Sequence, residues 1–168
     1  MVNLGSGVLP IARDTGRVCM VWRSRHVHVG NCWGTVGGNM LPGQSAAECA
    51  VREMREEIGY DGPIELRPAY VFEERQRRYV NFIGIVPSEF SFRPGGEHAW
   101  ETLFLRWDDL RLWQAMLRST PFSFHPGVTR LFEASGEMIL AAVQMCRPVS
   151  LAATKAQPSS STRCTSTS

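Results

Sequence analysis

The chain has no C-x-x-C pair, and none of its five cysteines, Cys19, Cys32, Cys49, Cys146 and Cys164, stands at a His/Cys spacing that would hold zinc. Their number is odd, so a disulfide framework is not expected and a reducing compartment is the simpler setting. Also missing is a concentrated excess of one charge. Against 16 acidic residues stand 18 Lys and Arg, a formal net charge of +2 with a pI near 8.4, too mild to mark a polyanion or membrane binder. The opening stretch "MVNLGSGVLPIARDTG" has no basic segment followed by an apolar one, and no apolar run approaches the length that crosses a bilayer. A cytoplasmic location is therefore expected. No repeat of solenoid period is present. What remains is 168 residues, 43% hydrophobic and 20% charged, which describes one ordinary domain with enough chain to bury a core.

Strands and helices alternate along it. "GVLPIARDTGRVCMVWRS" predicts two strands joined at Asp14 to Gly16, whose residue types favour a turn. "RPAYVFEERQRRYVNFIGIVP" predicts a second pair, with β-branched and aromatic residues on either side of a charged middle. "ETLFLRWDDL" reads as a short strand running into a turn. "FHPGVTRLFEASGEMILAAVQMC" has helical spacing at Val128, Leu131, Phe132, Ile139, Leu140 and Val143, with Gly136 as a candidate break. The segment 148–168, rich in Ser and Thr and without a periodic apolar face, is expected to be a disordered tail behind a domain spanning 1–147.

The best-signalled element lies in "GGNMLPGQSAAECAVREMREEIGY", Gly37 to Tyr60. Ser45 and Glu48 have the spacing of a capping box and Gly59 stands where a left-handed C-cap belongs, so a helix over about Ala46 to Ile58 is expected. At ~100° per residue, Ala47, Ala50, Val51, Met54 and Ile58 fall on one side and Glu53, Glu56 and Glu57 on the other. The plainest account of the acidic side is a solvated face with Arg52 and Glu56 as an i, i+4 pair. Yet Glu53 and Glu57 are like charges at the same separation, which costs about 0.2–0.5 kcal/mol with no structural return. A cation should sit there. Oxygen ligands point to a hard divalent ion, Mg²⁺ or Mn²⁺, rather than zinc. Gly37, Gly38 and Gly43 would let backbone approach an ion or a phosphate, and Pro42 would stiffen the entry to the helix.

Gly38, followed by Arg52-Glu53-Met54-Arg55-Glu56-Glu57-Ile58-Gly59-Tyr60, resembles the Nudix box, G-x5-E-x7-R-E-U-x-E-E-x-G-U with U apolar. Gln44 stands where the motif has its first glutamate. Trp33 ahead of the glycines, the "DTGRVCMVWRS" hairpin and "FHPGV" are also similar to Nudix hydrolases, so the resemblance covers roughly Gly7 to Cys146. It implies an α/β fold, an α/β/α sandwich around a mixed sheet, and Mg²⁺- or Mn²⁺-dependent hydrolysis of a nucleoside diphosphate linked to another group. It further implies Glu53 and Glu57 as the main metal ligands, Glu56 as a further ligand or a base, Arg52 as the residue that orients Glu56, and the Gly37 carbonyl as an extra oxygen ligand.

Many relatives draw another glutamate from outside the box. Here the candidates are Glu97 and Glu101, with Glu101, just ahead of a short apolar strand, favoured as ligand or general base. Arg23 is the candidate phosphate binder. Arg75, Arg77 and Arg78 beside Tyr79 read as a solvated strand connection, with contact to substrate phosphates or an RNA end as the alternative. Trp33 suits stacking on a base or packing beneath the loop. His26, His28, His98 and His125 are scattered and receive no role. Three readings follow: a metal-dependent diphosphohydrolase acting on a nucleoside triphosphate or nucleotide-sugar type of substrate, a non-catalytic nucleotide-binding domain, and an RNA 5′-end pyrophosphohydrolase. The expected partner is a nucleotide-type small molecule, and a homodimer is compatible with all three.

Overall fold

A computed structural model describes residues 3–95 and 100–146. The proposed tail and Glu97 lie outside the described residues. Seven strands, β1 (Asn3–Ala12), β2 (Val18–Arg23), β3 (Trp33–Gly34), β4 (Val36–Asn39), β5 (Glu65–Glu74), β6 (Arg77–Val86) and β7 (Thr102–Asp108), form one sheet with three helices, α1 (Ala46–Ile58), α2 (Leu110–Ser119) and α3 (Pro126–Cys146). The sheet runs β3-β2-β1-β6-β5, with β4 paired to β1 and β7 to β2. It is mixed, because β1 and β6 are parallel along their whole length while the other pairs are antiparallel. Both expected strand pairs are present, β1 with β2 and β5 with β6.

Period-2 alternation divides the strand side chains between two cores. Leu9, Ile11, Ile83 and Ile85 face α2 and α3 with Trp113, Leu131 and Ile139. Val8, Ala12, Phe82 and Val86 face α1 with Ala50, Met54 and Ile58. Central strands buried on both faces read as continuous apolar runs, and the result is the expected α/β/α sandwich. Each fully buried aliphatic side chain contributes about 1.5–3 kcal/mol.

The sandwich holds Trp33 firmly inside. The residue is 6% exposed and meets Trp113 edge-on at 4.9 Å and Trp22 at 5.2 Å, so it packs beneath the site and presents no free face to a base. α2 departs from expectation, because the chain after Asp108 continues as a helix where a turn was read. α3 passes through Gly136, but its backbone leaves helical geometry one residue earlier, at Ser135 (φ −132°, ψ 17°). There the Ser135 hydroxyl donates 2.8 Å to the Ala69 carbonyl of β5.

α1 begins and ends as expected. Glu48 N–H donates to Ser45 Oγ at 3.2 Å, Ser45 N–H donates to Glu48 Oε2 at 2.8 Å, and Gly59 takes φ 73°. Ser45→Ala should remove about 1 kcal/mol of stability, read as a shifted denaturation midpoint with an unchanged m-value.

Candidate functional site

The faces of α1 correct the sequence reading. Glu53 and Glu57 are buried, 7% and 2% exposed, whereas Val51 is 45% exposed and Ala47 also faces out. Helical periodicity ranks glutamate as an outward residue, but here two glutamates share the inward side with Met54 and Ile58. Room for them comes from β4. A Cβ at Gly38 would lie 2.5 Å from Glu53 Oε1, and one at Gly37 would collide with the Ser6 carbonyl and stand 2.5 Å from the Tyr79 hydroxyl. Gly37 also has φ 154°, open to glycine and strained for other residues. Gly43 is needed for a different reason, its φ of 78° in the turn before α1, since nothing crowds its Cβ position.

Burial sets the electrostatics of the two carboxyls. Desolvation, and then the neighbouring Glu53, push Glu57 up to about 8, against the pull of the Gly37 N–H that donates to its Oε2 at 3.1 Å and of the Arg23 charge. Burial also raises Glu53, and Arg52 beside it pulls partly back. The Arg52 guanidinium holds three oxygen acceptors: Nη1 donates to Glu56 at 2.6 Å, and Nη2 donates to Glu53 at 2.7 Å and to the Asn39 carbonyl at 2.8 Å. Its Nε is buried without a partner among the described residues.

This cluster suits a hard cation by its chemistry: Glu53 adds to the cost of charging Glu57, Glu101 adds to that of both, and among the described residues Glu57 has a backbone N–H but no ion pair. Among the described residues no three acidic, His or Cys side chains converge on one point, since Arg52 bridges Glu53 and Glu56. The free protein has a pH signature. A carboxyl raised above its unfolded value stabilises the fold fully below that value, and the contribution is lost as pH rises through the raised one. Without metal, thermal stability should fall from about pH 4.5 to about 8, and Glu57→Gln should flatten that fall. Melting curves in chelator across that range are the measurement.

Beside the carboxylates a cleft of about 530 Å³ crosses the sheet face just beyond the start of α3. Tyr79 forms its floor, lying where Gly5, Gly7 and Gly37 have no side chains. Glu101 lines the cleft, half-buried, and its charge is felt at both Glu53 and Glu57. The Glu101 carbonyl accepts 2.8 Å from Ser24 N–H, tying the start of β7 to the loop after β2. Arg23 also lines the cleft, although its Nε and Nη2 already donate 3.0 Å to the carbonyls of Val29 and His28. The three-arginine stretch divides: Arg78 pairs with Glu73 at 2.9 Å, Arg75 occupies the turn at φ 48°, and Arg77 reaches the cleft.

Also lining the cleft are Tyr79, named from the sequence only as the neighbour of the arginines, His125, given no role there, and Arg130, not singled out. The signal for Tyr79 was the G-x-G spacing of Gly5 and Gly7 in β1, which makes sense only once β6 is known to lie beside it. For His125 it was the position before Pro126-Gly127: its Nδ1 accepts the Gly127 N–H at 3.0 Å and caps α3.

Comparison with known proteins places these features. Over half of the chain and half of theirs, it is 32% identical to isopentenyl-diphosphate Delta-isomerases of Cereibacter sphaeroides; the chain spans about half the length of these curated relatives. Among solved structures, the E. coli dihydroneopterin triphosphate pyrophosphohydrolase superposes with TM-score 0.58 at 21% identity, covering 80% of this chain and 95% of that one. The C. elegans Ap4A hydrolase gives 0.59 at 14%, covering 83% and 98%. The MutT protein of Methanosarcina mazei gives 0.59 at 17%, covering 79% and 91%. These likenesses speak for the fold. A model described as the NUDIX domain matches residues 1–125, about three quarters of the sequence and the whole of the carboxylate cluster, and the chain belongs to that family.

Proposed function

We infer that the chain is a Nudix-type hydrolase that cleaves, with Mg²⁺ or Mn²⁺, the diphosphate linkage between a nucleoside and another group. The observation that carries this reading is the pair of buried glutamates, Glu53 and Glu57, meeting two glycines at the edge of a cleft with cationic and aromatic walls. Glu53 and Glu57, with Glu56 and the Gly37 carbonyl, would hold the ion. When bound, it supplies charge neutralisation for the diphosphate and makes a water more acidic.

The chain's own groups do the rest. Glu101, which lines the cleft close enough for its charge to be felt at Glu53 and Glu57, takes the proton from the attacking water; Glu56 is the other base candidate. A new P–O bond forms to the water oxygen, the bridging P–O bond breaks, and the leaving phosphate oxygen keeps the electron pair. Arg23 places positive charge beside the phosphates. Arg52 holds Glu56 in place and need not touch substrate, so Arg52→Gln should lower kcat more than it raises KM. An effect on KM alone would move Arg52 into substrate binding.

The deciding experiment is turnover of nucleoside triphosphates, nucleotide sugars and dinucleoside polyphosphates with and without Mg²⁺. Triphosphorylated RNA and isopentenyl diphosphate belong in the same panel, the latter because of the partial likeness to isomerases. Mg²⁺-dependent release of a phosphorylated product supports the hydrolase. Tight nucleotide binding with no turnover would replace it with a binding domain.

A further inference from the structure

The end of the cleft formed by β5, β6 and α3 carries features that the diphosphate chemistry leaves unused. Phe72 and Tyr79 are cross-strand partners, which places their Cβ atoms about 4.5–5.5 Å apart on one face of the sheet. Over these adjacent rings stand two guanidinium groups, Arg130 at 4.6 Å from the Phe72 centroid and Arg77 at 5.9 Å from that of Tyr79. Among the described residues neither makes an ion pair, although Glu74 is the cross-strand partner of Arg77. A third polar group completes the set. Because His125 Nδ1 accepts from Gly127 N–H, the ring proton resides on Nε2, and the imidazole lines the cleft as a neutral donor. Burial, then the charges of Arg23, Arg77 and His28, keep it neutral by holding its proton affinity down, to about 4.

Two cations set over aromatic rings and a neutral donor, with no acceptor for them among the contacts of the described residues, form a receptor for an anionic group. We propose that Arg77, Arg130 and His125 form a second anion subsite, so that the favoured substrate carries a phosphate or carboxylate on the group attached to the nucleoside diphosphate, in addition to the scissile diphosphate itself. This rests on the hydrolase reading of the same cleft. It narrows the substrate class from any nucleotide derivative to those with a charged distal group.

The test uses ligand pairs that differ only in that group: UDP-glucose against UDP-glucuronate for a carboxylate, and NAD⁺ against NADP⁺ for a phosphate. Binding is measured by calorimetry on the full chain, and hydrolysis separately with Mg²⁺. In at least one pair the anionic member should bind about tenfold more tightly, the effect of one charge-assisted hydrogen bond, and the pair that shows it tells carboxylate from phosphate. Arg77→Gln and Arg130→Gln, both at exposed positions, should each erode the preference without altering the neutral member, and Arg130→Lys should keep part of it. Equal binding within both pairs, a preference that survives the double Gln variant, or no binding of any of the four would overturn the subsite. Hydrolysis without discrimination would refute the subsite and leave the hydrolase standing. Discrimination in binding without hydrolysis would do the reverse.

Discussion

Glu57→Gln is expected to reduce Mg²⁺-dependent hydrolysis by about 10³-fold or more, equivalent to ~4 kcal/mol of barrier, while the protein remains folded. The amide keeps the shape of the carboxylate and can still accept the Gly37 N–H, so the link between α1 and β4 survives. What is lost is a deeply buried carboxylate that has no ion pair among the described residues. The folded state should gain stability in chelator at alkaline pH, because a carboxylate that is costly to bury has been removed. Glu53→Gln should also abolish most turnover, but without that gain, since it leaves Arg52 with one carboxylate partner fewer. Wild-type rates in either variant would remove the carboxylates from the reaction. A collapsed melting temperature in Glu57→Gln would instead make the residue part of the fold's framework.

Glu101→Gln separates two roles at a position where geometry permits both. As general base, Glu101 should contribute about 10²–10⁴ to kcat, and its loss should flatten the acidic limb of the pH–rate profile with the Mg²⁺ requirement unchanged. As a metal ligand, its loss should raise the Mg²⁺ concentration needed, with much of the rate recovered when Mg²⁺ is raised. A metal titration therefore distinguishes them. If rate, pH profile and Mg²⁺ requirement all stay the same, Glu101 has neither role and Glu56 becomes the base to test.

The parts legible in the sequence are those encoded locally. The limits of α1 follow from Ser45, Glu48 and Gly59, which act on backbone groups within a few residues of themselves. The strand pairs follow from alternation and turn chemistry. α2 escaped because its start lacks such a signal: Asp109 stands at the N-cap without a side-chain hydrogen bond, and only Leu110 and Trp113 of the helix are buried. The orientation of Glu53 and Glu57 escaped for the opposite reason. Side-chain polarity says out, and the space that turns them in belongs to Gly37 and Gly38 on another element. Several cleft residues, Arg23, Gly37, Gly38, Arg77 and Glu101, were named from the sequence, but its floor escaped, because Tyr79 meets Gly5 and Gly7 only through parallel pairing of β1 with β6, across a separation no local pattern records.

The bend in α3 has a mechanical meaning. Arg130 and the capping His125 belong to the part before Ser135, while Ile139, Ala142 and Val143 of the part after it are locked into the core. The Ser135 hydroxyl fastens the joint to Ala69, next to Tyr70 and three residues from Phe72 on β5. The hydroxyl works together with the packing of Val128, Leu131 and Phe132 and with Arg130 over Phe72, so the first half of α3 is fastened to the strand that carries Phe72. Ser135 does not line the cleft, yet it helps fix how the helix carrying His125 and Arg130 lies against the strand carrying Phe72.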